Sequence, residues 1–268
     1  MKDKPLLLLQ MKILIPVMAM CIFVSLGTSA PVVTYDPIPF MLNKAKVHDV
    51  VLLGTTHHCP PILRFIAQLL PQLSRVGVTH IGLEIATDQQ AKIDSYMKEG
   101  KGLQDIEIFP PIDCPEYRHL LEIIRTHDLK AVALDLPRSM WKTPNTRDQW
   151  MAKTLESIFE ENHNSTILAI VGNLHTIKKV EWSNPSIKDG VIRSYLSNAR
   201  PDLSMFSVAE CIDDSEEECD FRRVFGGTRN PIAVETKGLD FKLGTLSVIA
   251  AKPMTACEAV DAVIVYGD

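Results

Sequence analysis

Two apolar runs that each end in Gly-x-x-His constrain this chain more than any other feature. They are Val50-Val51-Leu52-Leu53-Gly54-Thr55-Thr56-His57 and Ile167-Leu168-Ala169-Ile170-Val171-Gly172-Asn173-Leu174-His175. A short continuous apolar run bounded by glycine reads as a strand buried on both faces, and such strands belong to parallel sheets covered by helices. Thr79-His80-Ile81-Gly82-Leu83-Glu84 lies between them and ends in a carboxylate. Ligands of open α/β sheets bind in the crevice beyond the carboxyl ends of the strands, so three strands bring titratable groups to that edge.

The segments between the runs have helical periodicity. After Pro60-Pro61, the residues Ile62, Phe65, Ile66, Leu69, Leu70 and Leu73 recur at helical spacing, with a possible kink at Pro71 and a stop at Gly77. Further helices are expected over Asp88 to Met97, stopped by Gly100, over Tyr117 to Thr126, and over Arg147 to Glu160. Ala131-Val132-Ala133-Leu134 is a short strand before Asp135-Leu136-Pro137-Arg138. Later candidate strands are Ser204 to Ala209, Thr245 to Ala251 and Ala259 to Tyr266, whereas Pro31 to Lys46 reads as irregular. The alternation predicts an α/β fold of three layers, a mostly parallel β-sheet with helices on both faces.

The 268 residues and a 46% apolar content suit one large core, so residues 31–268 are expected to form a single α/β domain. A net charge of −5 without long like-charge blocks argues against nucleic acid as a partner. Residues 1–30 have the parts of a secretory signal: Met11-Lys12, an apolar run to Leu26, and the small residues Gly27-Thr28-Ser29-Ala30, with Met11 as an alternative start. Export to a periplasmic or secreted location follows, with membrane attachment only through an uncleaved leader. Met20 is bulky for lipoprotein processing at Cys21. Of the remaining five cysteines, Cys211 and Cys219 are the one pair close enough in sequence to suggest a small loop.

His57, Glu84 and His175 are the candidate catalytic residues. Two imidazoles and a carboxylate can hold a divalent metal with open positions, or work without metal as general base, orienting acid and electrostatic stabiliser. Asp135 and Arg138 stand at another strand end, where the arginine could clamp a carboxylate or phosphate. Arg138 and Arg147 are further catalytic candidates, although Arg147 with Asp148 also reads as a solvated pair at a helix start, the aspartate complementing the helix dipole. Asp261 needs a partner or faces the site, and His58 is expected to point away from it. No Gly-x-Ser-x-Gly elbow, phosphate loop, dinucleotide fingerprint or His-Glu-x-x-His helix occurs.

Taken in order, Gly54-Thr55-Thr56-His57, Leu83-Glu84, Asp88-Gln89-Gln90 with Tyr96 and Gly100, Tyr117 with Leu120-Leu121, Asp135-Leu136-Pro137-Arg138, Arg147 with Met151-Ala152, Gly172-Asn173-Leu174-His175 and the closing Asp261 to Tyr266 resemble one superfamily. It joins ChaN-like haem-binding-uptake proteins, the TraB and Tiki proteins, and erythromycin esterases, with the ChaN-like branch closest overall. For the Tiki branch the resemblance implies a metal-dependent peptidase using His57, His175 and Glu84. For the ChaN-like branch it implies haem bound through tyrosine, here Tyr96 or Tyr117, and for the esterases a histidine acting as general base on water. Thr55 stands where the ChaN-like and esterase patterns place a glutamate. The expectation is an exported hydrolase cleaving an amide or ester bond of a small molecule or peptide, with a haem-binding, iron-uptake protein as the alternative.

Overall fold

The computed structural model describes residues 32–142, 146–180, 190–211, 224–225, 230–241 and 254–266. Its strands are β1 (Val33–Thr34), β2 (Val50–Thr55), β3 (His80–Ala86), β4 (Lys130–Asp135), β5 (Ile167–Gly172), β6 (Met205–Cys211), β7 (Ile232–Glu235) and β8 (Ala262–Val265). Its helices are α1 (Pro37–Val47), α2 (Pro60–Leu73), α3 (Gln90–Glu99), α4 (Pro115–Thr126), α5 (Arg147–Glu161), α6 (Asn173–Thr176), α7 (Ile192–Ala199) and α8 (Ala256–Ala259).

The strands form one eight-stranded sheet in the order β1-β7-β8-β6-β2-β5-β3-β4. Its six strands from β8 to β4 are parallel, while β7 runs antiparallel to both β8 and β1. The expected α/β architecture is therefore borne out, with an antiparallel edge added. Every residue of β2 and of β5 is buried, as their unbroken apolar runs require. Alternate residues of each strand face opposite layers. Val51, Leu53, Leu168 and Ile170 pack with Phe65, Leu69 and Leu70 of α2 and Leu120 and Leu121 of α4. Val50, Leu52, Ala169 and Val171 pack on the other face with Met151, Leu155 and Phe159 of α5 and Leu196 of α7. Leu69 is fully buried, and truncating such a side chain to alanine costs about 2–5 kcal/mol.

The helix stops are legible: Gly77 and Gly100 have φ values of 96° and 70°, left-handed conformations that glycine adopts without strain. One segment departs from expectation, because Pro31 to Lys46 is not irregular but contains α1. Asp36 caps that helix by accepting a hydrogen bond from Ile38 N at 3.1 Å. Pro37 and Pro39 fall in the first turn, where backbone N–H groups have no intrahelical partner. The signal segment, Cys219 and the expected strand Thr245 to Ala251 lie outside the described residues. Among the described residues no helix is long and apolar enough to cross a membrane.

Candidate active site

The strand order explains how distant motifs meet. β5 lies between β2 and β3, so the ends of the two Gly-x-x-His strands are adjacent and Glu84 comes from the far neighbour. Between β3 and β4 the register moves from Leu83↔Ala133 to Ala86↔Asp135, which leaves one extra residue on β3. Such a bulge bends the strand and re-aims a side chain. Glu84 sits in it, and its Oε2 accepts a hydrogen bond from Gly172 N–H, at the end of β5, at 2.7 Å.

Gly172 is the centre of the arrangement. A Cβ placed on it would lie 3.5 Å from Glu84 Oε2, 3.5 Å from His175 Cδ2 and 3.5 Å from His57 Cε1. The three predicted residues therefore converge around a space about one heavy atom wide, with His57 exposed, His175 mostly buried and Glu84 2% exposed. Gly54 has a different reason to be glycine, since a Cβ there would fall 2.1 Å from Asn173 Oδ1. The Asn173 amide donates to Glu210 O at 2.8 Å and accepts from Glu210 N–H at 2.9 Å, tying the second Gly-x-x-His turn to β6.

Two charged partners flank this centre. Arg147, at the start of α5, donates from Nη2 to Glu84 Oε1 at 2.5 Å and from Nε and Nη2 to the Asp135 carboxylate at 2.9 and 2.7 Å. Asp135 at the end of β4 thus holds the arginine. The two buried carboxylates push the guanidinium proton affinity upward against the opposing effect of burial. Asp148 Oδ1 lies 2.5 Å from His175 Nδ1, and its Oδ2 accepts from Ile192 N–H at 3.2 Å at the start of α7. Burial alone would lower the pKa of His175, but the Asp148 hydrogen bond, the Asp148 charge and the Glu84 charge together raise it. Glu84 Oε1 is 3.7 Å from His175 Nε2, too long for a hydrogen bond but close enough for charge attraction.

Asp148 is the residue that sequence reasoning missed as a functional group. Read locally, it complements the helix dipole behind its Thr146 N-cap. Its partner is 27 positions away, and only the placement of α5 over β5 reveals it. Arg138 falls outside the cluster: half exposed, it reaches Glu107 at 3.4 Å and does not join the catalytic candidates. His58 turns away as expected, with φ 53° and Nε2 3.2 Å from Pro110 O. Asp261, just before β8, has its expected partners in Arg193, Lys178 at 3.2 Å and Ser207 N–H at 2.9 Å.

The donor set does not fit the expected divalent ion. Both Glu84 oxygens already accept hydrogen bonds, one of them from the Arg147 guanidinium and the other from Gly172 N–H. A dication beside Arg147 would meet a fixed positive charge. Among the described residues no three His, Cys, Asp or Glu side chains are grouped to hold a metal. The expected tyrosine ligands fit haem no better. Tyr117 is 2% exposed with its hydroxyl buried, and Tyr96 is 5% exposed with the Arg125 guanidinium over its ring. Both rings pack into the core beneath the sheet.

Residues 41–144 match a family model described as "Haem-binding uptake, Tiki superfamily, ChaN". Comparison with curated proteins found no match. Among solved structures, ChaN of Campylobacter jejuni, described as binding haem cofacially, is 13% identical with a TM-score of 0.54, covering 86% of this chain and 92% of that one. A mutant of the erythromycin esterase EreC in its open conformation is 12% identical with a TM-score of 0.67, covering 89% and 97%. A protein from Bacillus cereus is 12% identical with a TM-score of 0.62, covering 88% and 94%. At these identities the likeness establishes the fold. The chain therefore carries, over residues 41–144, the haem-binding-uptake ChaN match of the Tiki superfamily, on a fold shared with ChaN and erythromycin esterase, as its motifs resemble.

Proposed function

We propose that the chain is a hydrolase of ester or amide bonds that works by general acid–base catalysis at His57 and His175 without a resident metal. The convergence of His57, Glu84 and His175 on the space beside Gly172 carries this reading. His57, exposed on its turn, takes a proton from water as the water oxygen attacks the carbonyl carbon. His175, whose protonated form Asp148 and Glu84 favour, gives its proton to the leaving oxygen or nitrogen as the C–O or C–N bond breaks. Solvent then returns one proton to His175 and removes one from His57. Glu84 and Arg147 stay paired throughout and fix the charge balance around both imidazoles. Arg147 Nη1, which bonds to none of the described residues, is free to polarise the carbonyl oxygen.

The family description favours a second reading, haem binding in the same crevice, with the exposed His57 rather than a tyrosine as the available iron ligand. Under either reading we place the protein outside the cytoplasm, on the leader-like residues before Pro31.

A panel of simple esters and amides, assayed with a chelator present, tests the proposal. Turnover should persist in the chelator and fall about 10²–10⁴-fold in His57→Gln. No turnover of any substrate, together with a saturable Soret band on adding haemin that His57→Gln abolishes, would replace it with the haem reading.

A further inference from the structure

Beside the acid–base residues is a cavity of about 350 Å³ lined by Phe109, Asp135, Leu136, Trp141 and Arg147. Its polar wall is the Arg147–Asp135 pair that also holds Glu84. Its other wall is aromatic: the Phe109 and Trp141 rings meet edge to face, 5.8 Å apart at 86°. Trp141 is 51% exposed, which is unusual for so large an apolar side chain. Its ring is nevertheless fixed, because Nε1 donates to Leu136 O at 3.3 Å.

The catalytic loop sets the other aromatic. His58, next to His57, lies 3.2 Å from the carbonyl of Pro110, which follows Phe109 directly. The cavity is thus bounded on one side by an element tied to His57 and on the other by the arginine tied to Glu84. A half-exposed tryptophan with a fixed orientation, facing an arginine with one nitrogen that bonds to none of the described residues, can receive a flat apolar group on its ring while the arginine holds an attached oxygen.

We infer that the Phe109–Trp141 cavity is a subsite for an aromatic or similarly flat apolar ring of the substrate, with the ring one or two bonds from the carbonyl that Arg147 engages. The inference rests on the hydrolase reading for its substrate, but the subsite is tested by binding alone. Phenylacetate, the acid that hydrolysis of such a substrate would release, is the probe, and acetate is its ringless control.

NMR titration of the full mature chain should show phenylacetate binding about tenfold or more tighter than acetate, through ring burial and stacking. Trp141→Ala should reduce that preference to about twofold or less, while Trp141→Phe retains most of it. Trp141 is an exposed side chain, so its loss leaves the core intact; a denaturation curve of Trp141→Ala matching wild type confirms that. Phe109→Ala should weaken the preference independently. Equal affinity for the two acids in the wild type, or an unchanged preference in Trp141→Ala, overturns the subsite. A preference that survives in His57→Gln while no ester is hydrolysed by the wild type leaves the subsite standing and removes the hydrolase reading.

Discussion

Two glutamates are buried at the same edge of the sheet, and their surroundings make them opposite in character. Glu84, 2% exposed, receives a guanidinium, a backbone N–H and the attraction of an imidazole. Among the described residues Glu210, 4% exposed at the end of β6, receives the Tyr266 hydroxyl at 2.9 Å and no partner at Oε2. Burial raises the pKa of Glu210 well above the usual carboxylate range, and the Tyr266 hydrogen bond only partly offsets this. Burying a carboxyl without a cation favours its neutral form, whereas burying it beside one gives an ion pair that can organise neighbouring charge. The side of the edge toward β3 and β4 is therefore the electrically active one, and the β6–β8 side behaves as packing that contains an acid.

The sharpest way to break that contrast is to remove the cation. Arg147→Met leaves Glu84 and Asp135 buried and unpaired, and stability at neutral pH should fall by about 3–5 kcal/mol in urea denaturation. A loss below about 1 kcal/mol would mean that the carboxylates find other partners, and the two glutamates would then differ little.

Removing the histidine's partner is milder. Asp148→Asn should lower the rate about 10–100-fold at neutral pH by depleting protonated His175, with less loss in more acidic buffer. A group whose folded pKa is raised contributes stability that is fully present below its unfolded pKa and is lost as the pH rises through the folded value. The stability gap between wild type and Asp148→Asn should therefore be widest below about pH 6.5 and narrow above it. A gap that widens with pH would reverse the assigned role of Asp148.

Glu210 has the smallest predicted effect. Its raised pKa also means stability present at low pH and lost as the pH rises above the unfolded carboxylate value. Glu210→Gln should match wild type near pH 4 and gain on it by about 1 kcal/mol between pH 4.5 and 5.5. A constant difference across that range would show that Glu210 titrates as an ordinary exposed acid.

Much of this edge can be read from the sequence. The strand ends at Gly54, Glu84 and Gly172, and the two imidazoles after them, follow from apolar runs that glycines and polar residues interrupt. The order of the strands does not, because β5 enters between β2 and β3 only once the sheet assembles. Convergence of the site depends on that order, and on a bulge in β3 that no local pattern marks. Arg147 enters the candidates through its place in the order of motifs, whereas Asp148 looks like a simple complement to the helix dipole, since its partner lies 27 positions away. Tyr96 and Tyr117 are expected as haem ligands through the resemblance alone, whereas helical periodicity already puts Tyr117 on the same face as Leu120 and Leu121, where it is buried. The helix α1 was hidden by prolines that a first turn accommodates.

The protonation of His175 tests most directly the claim that partnered carboxylates set the charge of the site. NMR titration of its imidazole in wild type and in Glu84→Gln should give a midpoint above the ordinary 6.5 in the first and a lower one in the second. A wild-type midpoint below 6.5, or one that Glu84→Gln leaves unmoved, would contradict the account and reduce Glu84 to a counter-ion for Arg147.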